Sequence, residues 1–332
     1  MIFQAPILAL LLASALASIV ALWAGWFGIQ VLRQWDISSG SSVQLRLERR
    51  TELVSTLFRF VLLIELVALV LFVFNADRMA TLFVGAMCAV GTLGVNEYGF
   101  PALYLKIAIF FAAALWLILD YIDRMGYDFP LTRLKFAVLL GVAPMILTSA
   151  TLELLYFLNL KTDVITSCCS KLFTPVNEGL ASEMTGVAPD TALWMLATAG
   201  AAVALTGGTS VLTGRGHRLF TLSGIVMFFV ALIAIVSVIS LYVYDHPNHH
   251  CPFCLLKPEY GYIGYALYLP LFFGTALSIG AGLAQSVATS ESLLPMRTSF
   301  ARGQTVLALC AFGLFGLVVL WIIASSNLIL FG

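Results

Sequence analysis

The chain has 332 residues, 61% of them hydrophobic and only 10% charged, and its formal net charge is zero. A soluble domain of this length carries about 25% charged residues, so a soluble globular enzyme is excluded, and without a basic block so is a nucleic-acid partner. No G-x-x-x-x-G-K-[ST] loop is present, which excludes ATP hydrolysis by that route.

Apolar runs of about 20 residues recur from end to end, as they do in proteins that cross a lipid bilayer many times. They predict an all-α, polytopic transmembrane bundle forming a single integral membrane domain over 1–332. The first helix is expected over 6–33. Within it, Ser14-Ala15-Leu16-Ala17-Ser18 looks like a signal-peptidase site, but no basic residue precedes it and the apolar run continues to Trp35, so it reads as an uncleaved span. A polar segment with Arg33, Arg46, Arg49 and Arg50 leads to a second helix over 53–75. The next apolar run, 81–95, is short for a span and ends in the breaker cluster Asn96-Glu97-Tyr98-Gly99-Phe100-Pro101. Further helices are expected over 102–121, 136–160, 191–213, 219–244, 261–285 and 304–328.

Cytoplasmic loops are enriched in Lys and Arg. If 81–95 does not span, the inside loops hold Arg33, Arg46, Arg49, Arg50, Arg124, Arg133, Lys135, Arg215, Arg218, Arg297 and Arg302, against Arg78, Lys161, Lys171 and Lys257 outside. If it does span, every later loop flips and the bias disappears. The expectation is therefore eight spans, both termini outside, and a re-entrant or interfacial segment at 81–101, tolerated where protein or a cavity shields its backbone. A bacterial inner membrane fits this layout. Small residues at four-residue spacing, Gly200, Ala204 and Gly208 and again Gly274, Ser278 and Gly282, are expected to face neighbouring helices.

The same topology places two outside loops, 161–190 and 245–260, on one face. The first carries Cys168-Cys169. The second carries His246-Pro247-Asn248-His249-His250-Cys251-Pro252-Phe253-Cys254, with three of the four histidines. A Cys-x-x-Cys spacing suits a reversible disulfide or two ligands to one metal. In the exchange reading Cys251 attacks, Cys254 resolves, Cys168 and Cys169 form a shuttle pair, and His249 and His250 favour the thiolate by their charge. In the metal reading His246, His249, His250, Cys251 and Cys254 supply ligands, and soft thiolates with imidazoles favour Cu(I) or Zn(II). In a third reading the cysteines only staple loops of a permease-like or assembly subunit within a larger membrane complex. Cys88 and Cys310 lie in apolar surroundings and read as inert buried thiols. Glu65, Lys106 and Glu153 fall inside predicted spans, where ionisable groups usually line an interior or a pathway. Lys106 and Glu153 lie at similar depth, suited to an ion pair. Tyr265 and Tyr268 fit an interfacial aromatic belt and are also spaced to flank a quinone-like ring.

Cys251-Pro252-Phe253-Cys254 resembles the active-site dithiol of DsbA-like thioredoxin-fold proteins, with Phe253 where those have His. A Cys-x-x-Cys at the outer mouth of a helix, with a second cysteine pair in another outside loop, resembles the layout of the DsbB and vitamin K epoxide reductase families. That resemblance implies a membrane thiol–disulfide oxidoreductase passing electrons from a periplasmic thioredoxin-like protein to a quinone.

Overall fold

The computed structural model describes residues 5–161, 186–328 and 330. Cys168, Cys169 and most of the 161–190 loop lie outside the described residues. The fold is all-α. Eight helices are long and apolar enough to cross a membrane, and no strand occurs among the described residues. Large apolar side chains such as Leu16, Trp26, Leu205, Leu212 and Leu317 point outward, as an apolar solvent around the protein allows.

The long helices are α1 (Ala5–Gln34), α2 (Ser42–Met79), α4 (Gly99–Met125), α5 (Thr132–Leu158), α6 (Pro189–Thr213), α7 (His217–Tyr244), α8 (Ile263–Val287) and α9 (Leu294–Ser325). Between α2 and α4 the chain makes only a short 3-10 turn, Ala80–Leu82, and the five-residue α3, Ala89–Leu93. The 83–98 stretch therefore supplies no spanning helix, while Gly99-Phe100-Pro101, expected to close the interfacial segment, instead form the first turn of α4.

Several helices run past the limits set by hydropathy. α2 starts eleven residues before 53, because Gln44-Leu45-Arg46-Leu47-Glu48-Arg49-Arg50 is built of good helix formers. The Ser41 hydroxyl caps its start, accepting from Gln44 N at 3.2 Å. α9 likewise starts at Leu294, ten residues before the apolar run. α7 starts at His217, which is buried with Nδ1 2.9 Å from Thr305 Oγ1, so one histidine does belong to a spanning helix.

The described chain divides into two compact units. In the first, α1 packs on α2, α2 on α4, α4 on α5, and α5 back on α1, a closed four-helix ring. Its core is Phe27, Val54, Phe58, Leu62, Trp116, Phe136 and Leu139, with Phe58 and Trp116 edge to face at 5.0 Å. In the second, α6, α7, α8 and α9 close a ring in the same manner, joined by the segment Phe83–Gly91. Gly214 and Gly216, both at positive φ, make the tight α6–α7 turn that a side chain would strain.

The small-residue stripes divide. On α8, Gly274, Ser278 and Gly282 are buried, with Phe312 of α9 against Gly274. On α6 the expected stripe is corrected: Gly200 and Gly208 have nothing near their Cβ positions and Ala204 is exposed. The contact face is one residue out of phase, at Ala199, Val203, Gly207 and Ser210, with Leu309 and Phe220 closing on Gly207.

Candidate functional site

The second unit gathers three sulfurs. Cys88, Cys251 and Cys254 are all buried, and their Sγ atoms lie within 4.8 Å of one another. Cys88 Sγ meets Cys251 Sγ at 3.5 Å, a hydrogen-bonding distance for sulfur and far longer than the about 2.05 Å of an S–S bond. Cys88 is thus not the isolated thiol its apolar neighbours suggest. It sits at the end of a turn that reverses at Gly85 (φ 87°), and its carbonyl accepts from Gly91 N as α3 begins. Cys310 is also corrected: it lies exposed on the side of α9, away from any neighbour that would bury it.

The Cys251–Cys254 loop is held from both helices that flank it. α7 ends when Asp245 turns left-handed (φ 49°), and Asp245 Oδ1 accepts from Ser326 Oγ at 2.5 Å and Asn327 N at 3.2 Å beyond the end of α9. Tyr244 Oη donates to the Cys251 carbonyl at 2.5 Å, and Tyr268 Oη of α8 donates to the Pro252 carbonyl at 3.0 Å. Two phenols therefore fix consecutive peptide groups beside the sulfurs. Cys254 opens a 3-10 turn, Cys254–Leu256, and a second, Pro258–Tyr260, leads through Gly261 and Tyr262, both at positive φ, into α8. Gly264 seats the first turn of α8 on this loop, since a Cβ there would lie 2.8 Å from Leu256 Cδ2 and 3.0 Å from the Leu255 carbonyl carbon.

The histidines make contacts with the loop itself and with α7. His249 stacks on Tyr244 with ring centroids 4.0 Å apart, and Tyr260 meets Tyr244 edge to face at 4.6 Å. Burial, followed by the field of Cys254, pushes the Tyr260 phenol above its ordinary range. His250 Nδ1 lies 3.0 Å from the Val236 carbonyl. A carbonyl can only accept, so Nδ1 carries the proton there. Val236 lies in a π turn, Ile235–Ile239, that interrupts α7. Such turns release a carbonyl from the helical ladder and are frequent at functional sites. His246 Nδ1 accepts from Asn248 N at 3.2 Å. Among the described residues, the three cysteines form a cluster with ligand spacing that includes no histidine or carboxylate.

Of the aromatic pair, Tyr268 is engaged by the loop backbone and Tyr265 stands 6.3 Å from Tyr262. The intramembrane charges gather in the first unit. Lys106 Nζ lies 2.7 Å from Glu153 Oε2 and 4.0 Å from Glu65 Oε2. A second charged group there lies outside the candidates drawn from hydropathy. Asp120 Oδ2 takes Arg59 at 2.7 Å and Arg124 at 3.3 Å, and Lys135 bridges Asp120 at 3.3 Å and Asp123 at 2.8 Å. The i,i+3 spacing of Asp120 and Asp123, with Lys135 just across the turn, is the signal that would have found it.

Three buried sulfurs around one point can do two things chemically. They can hold a soft metal ion, or they can exchange a disulfide among themselves. No protein-family model, curated protein or solved structure matches the chain.

Proposed function

We propose that this integral membrane protein handles a soft metal ion, with Cys88, Cys251 and Cys254 as a three-thiolate site selective for Cu(I). The observation that supports this is the convergence of three buried sulfurs within 4.8 Å. Sulfurs bound at about 2.3 Å to one ion lie about 3.8–4.0 Å apart, in tetrahedral or trigonal arrangement respectively. The cluster matches that scale. Zn(II) structural sites are almost always four-coordinate, whereas three thiolates, the ligands that converge among the described residues, suit Cu(I) by softness. The Tyr244 and Tyr268 hydrogen bonds hold the loop carbonyls in place, as groups around a metal centre do when they orient its ligands.

The test is anaerobic titration of protein purified without chelator, using Cu(I) against a competing chromophoric chelator. The expected result is one Cu(I) per chain in wild type and a loss of at least tenfold in affinity in Cys88→Ser. Equal binding by wild type and Cys88→Ser would reject the reading. Zinc in place of copper, with sulfur ligation, would change the metal and keep the site.

A second reading is favoured by the 3.5 Å contact between Cys88 and Cys251. A Cys88 thiolate there is placed to attack a Cys251–Cys254 disulfide, forming Cys88–Cys251 and releasing Cys254 as thiolate. In this reading Cys88 is the attacking thiol, and exchange with a periplasmic thioredoxin-like protein on the outer face of a bacterial inner membrane requires the buried sulfurs to become accessible. Alkylation of Cys251 and Cys254 in graded thiol buffers tests it. A potential below about −300 mV marks a structural disulfide and excludes exchange.

A further inference from the structure

The four helices of the first unit each give one polar residue to a single buried place. α1 gives Ser14, α2 Glu65, α4 Lys106 and α5 Glu153, and all four are buried. Glu153 Oε2 is well served, with Lys106 Nζ at 2.7 Å and the Ser14 hydroxyl donating at 3.0 Å. Glu65 is not. Its Oε2 lies 4.0 Å from Lys106 Nζ, beyond hydrogen-bonding distance, and has no hydrogen-bond partner although its side chain is only 3% exposed. Glu153 Oε1 is a second buried carboxylate oxygen with no hydrogen-bond partner. The remaining walls are aromatic: the Phe72 ring centroid is 5.6 Å from Lys106 Nζ, and Tyr156, one turn beyond Glu153, packs on Phe72 and donates to the Thr92 carbonyl.

The charges do not balance. Two carboxylates and one ammonium leave a net charge of −1, and among the described residues no other charge faces the group. The next cation on α2, Arg59, is committed to Asp120, and Asp120 lies about 21 Å along α4 from Lys106 at 1.5 Å per residue. α1 contributes no charged group, and on α5 the remaining titratable neighbour is the Tyr156 phenol. An isolated buried charge in an apolar surround is met by neutralisation. The two carboxylates differ in their partners: Glu153 Oε2 has the Lys106 ammonium and the Ser14 hydroxyl against it, while Glu65 Oε2 has no hydrogen-bond partner.

We propose that the Glu65–Lys106–Glu153 group is an exchangeable proton site, with Glu65 the carrier and Glu153 the permanent partner of Lys106. The site belongs to the first unit and does not depend on cysteine chemistry. Protonating Glu65 restores neutrality and turns its orphaned oxygen into a donor. Releasing the proton leaves the −1 charge, so occupancy responds to anything that alters access or charge nearby.

The experiment is infrared difference spectroscopy of the full-length protein in lipid nanodiscs, stepped in pH in potassium buffer, reading the C=O stretch of protonated carboxyl. Wild type is expected to show a carboxyl band that titrates reversibly, and Glu65→Gln to lack it. Lys106→Met, which leaves two carboxylates and no cation, is expected to roughly double the band. This second variant decides the matter if Glu65→Gln does not fold. A band that persists unchanged in Glu65→Gln, no doubling in Lys106→Met, or no titrating band in wild type would overturn the proposal. Loss of the wild-type band on replacing potassium by sodium would also overturn it, in favour of a sodium site.

Discussion

Asp123 holds the α4–α5 turn through three contacts, and its removal has a calculable cost. Its Oδ1 accepts from the Leu131 backbone N–H at 2.8 Å, and its Oδ2 accepts from the Thr132 hydroxyl at 3.0 Å and pairs with Lys135 Nζ at 2.8 Å. All of these atoms are buried. In Asp123→Ala the Leu131 N–H is orphaned, which costs about 1–3 kcal/mol. The Thr132 hydroxyl loses a charged acceptor, a further cost of about 1 kcal/mol. Lys135 is not fully orphaned, because Asp120 remains at 3.3 Å, so its share falls below the about 3–5 kcal/mol of a broken buried pair. The total is about 4 kcal/mol, and about half that in Asp123→Asn, which keeps an acceptor for Leu131. The assay is reversible unfolding in mixed micelles of rising dodecyl sulfate fraction, followed by circular dichroism. Adding Lys135→Met to Asp123→Ala is expected to recover about 1–2 kcal/mol, since it removes the under-paired cation. An Asp123→Ala variant within about 1 kcal/mol of wild type, or a double variant no more stable than the single one, refutes the reasoning.

Gly264→Leu forces a side chain into the 3-10 turn that begins at Cys254; the expected cost is about 1–3 kcal/mol in unfolding, with weaker Cu(I) binding if the proposed three-thiolate site holds, and unchanged stability would count against the packing described. His250→Ala removes one of two side-chain donors on the Val236 carbonyl, the Ser240 hydroxyl at 3.0 Å being the other, and a loss of about 1 kcal/mol in thermal unfolding together with faster alkylation of Cys251 is expected; an unaltered labelling rate would show that the histidine does not secure the loop. In the α1–α2 link, the Ser38 hydroxyl and then the Ser38 backbone N–H hold the Asp36 carboxyl below its ordinary range. The depressed folded-state pKa means that the turn gains from Asp36 above the unfolded-state value and loses that gain as pH falls through the folded one. An NMR titration should find Asp36 moving up in Ser38→Ala, and no movement would reject the assignment.

The eight spans were legible because an apolar run of about 20 residues matches the thickness of a bilayer and little else in a folded chain needs that length. Their ends were not, because hydropathy stops at the first charges while helices continue through them. Asp120, Asp123 and Lys135 show why: each is costly alone, yet together they satisfy one another and the turn backbone, so the helices carry them inside. The cysteine site was half legible. Cys251 and Cys254 announce themselves by spacing, but Cys88 is 163 residues from Cys251 along the chain, and a lone cysteine among apolar neighbours reads as core. Gly207 was missed for a related reason: a four-residue stripe of small residues has the right period on a helix without fixing its phase.

The π turn at Ile235–Ile239 sets the aim of everything after it on α7. A π turn accommodates one more residue than an α turn, so Tyr242 and Tyr244 are rotated by about 100° from where an unbroken helix would carry them. Tyr244 reaches the Cys251 carbonyl from that rotated position. The chain length between Ala234 and Tyr244 is therefore a piece of positional information in its own right. It fixes the bearing of the phenol independently of side-chain chemistry, and the Val236 carbonyl inside the turn takes both His250 Nδ1 and the Ser240 hydroxyl.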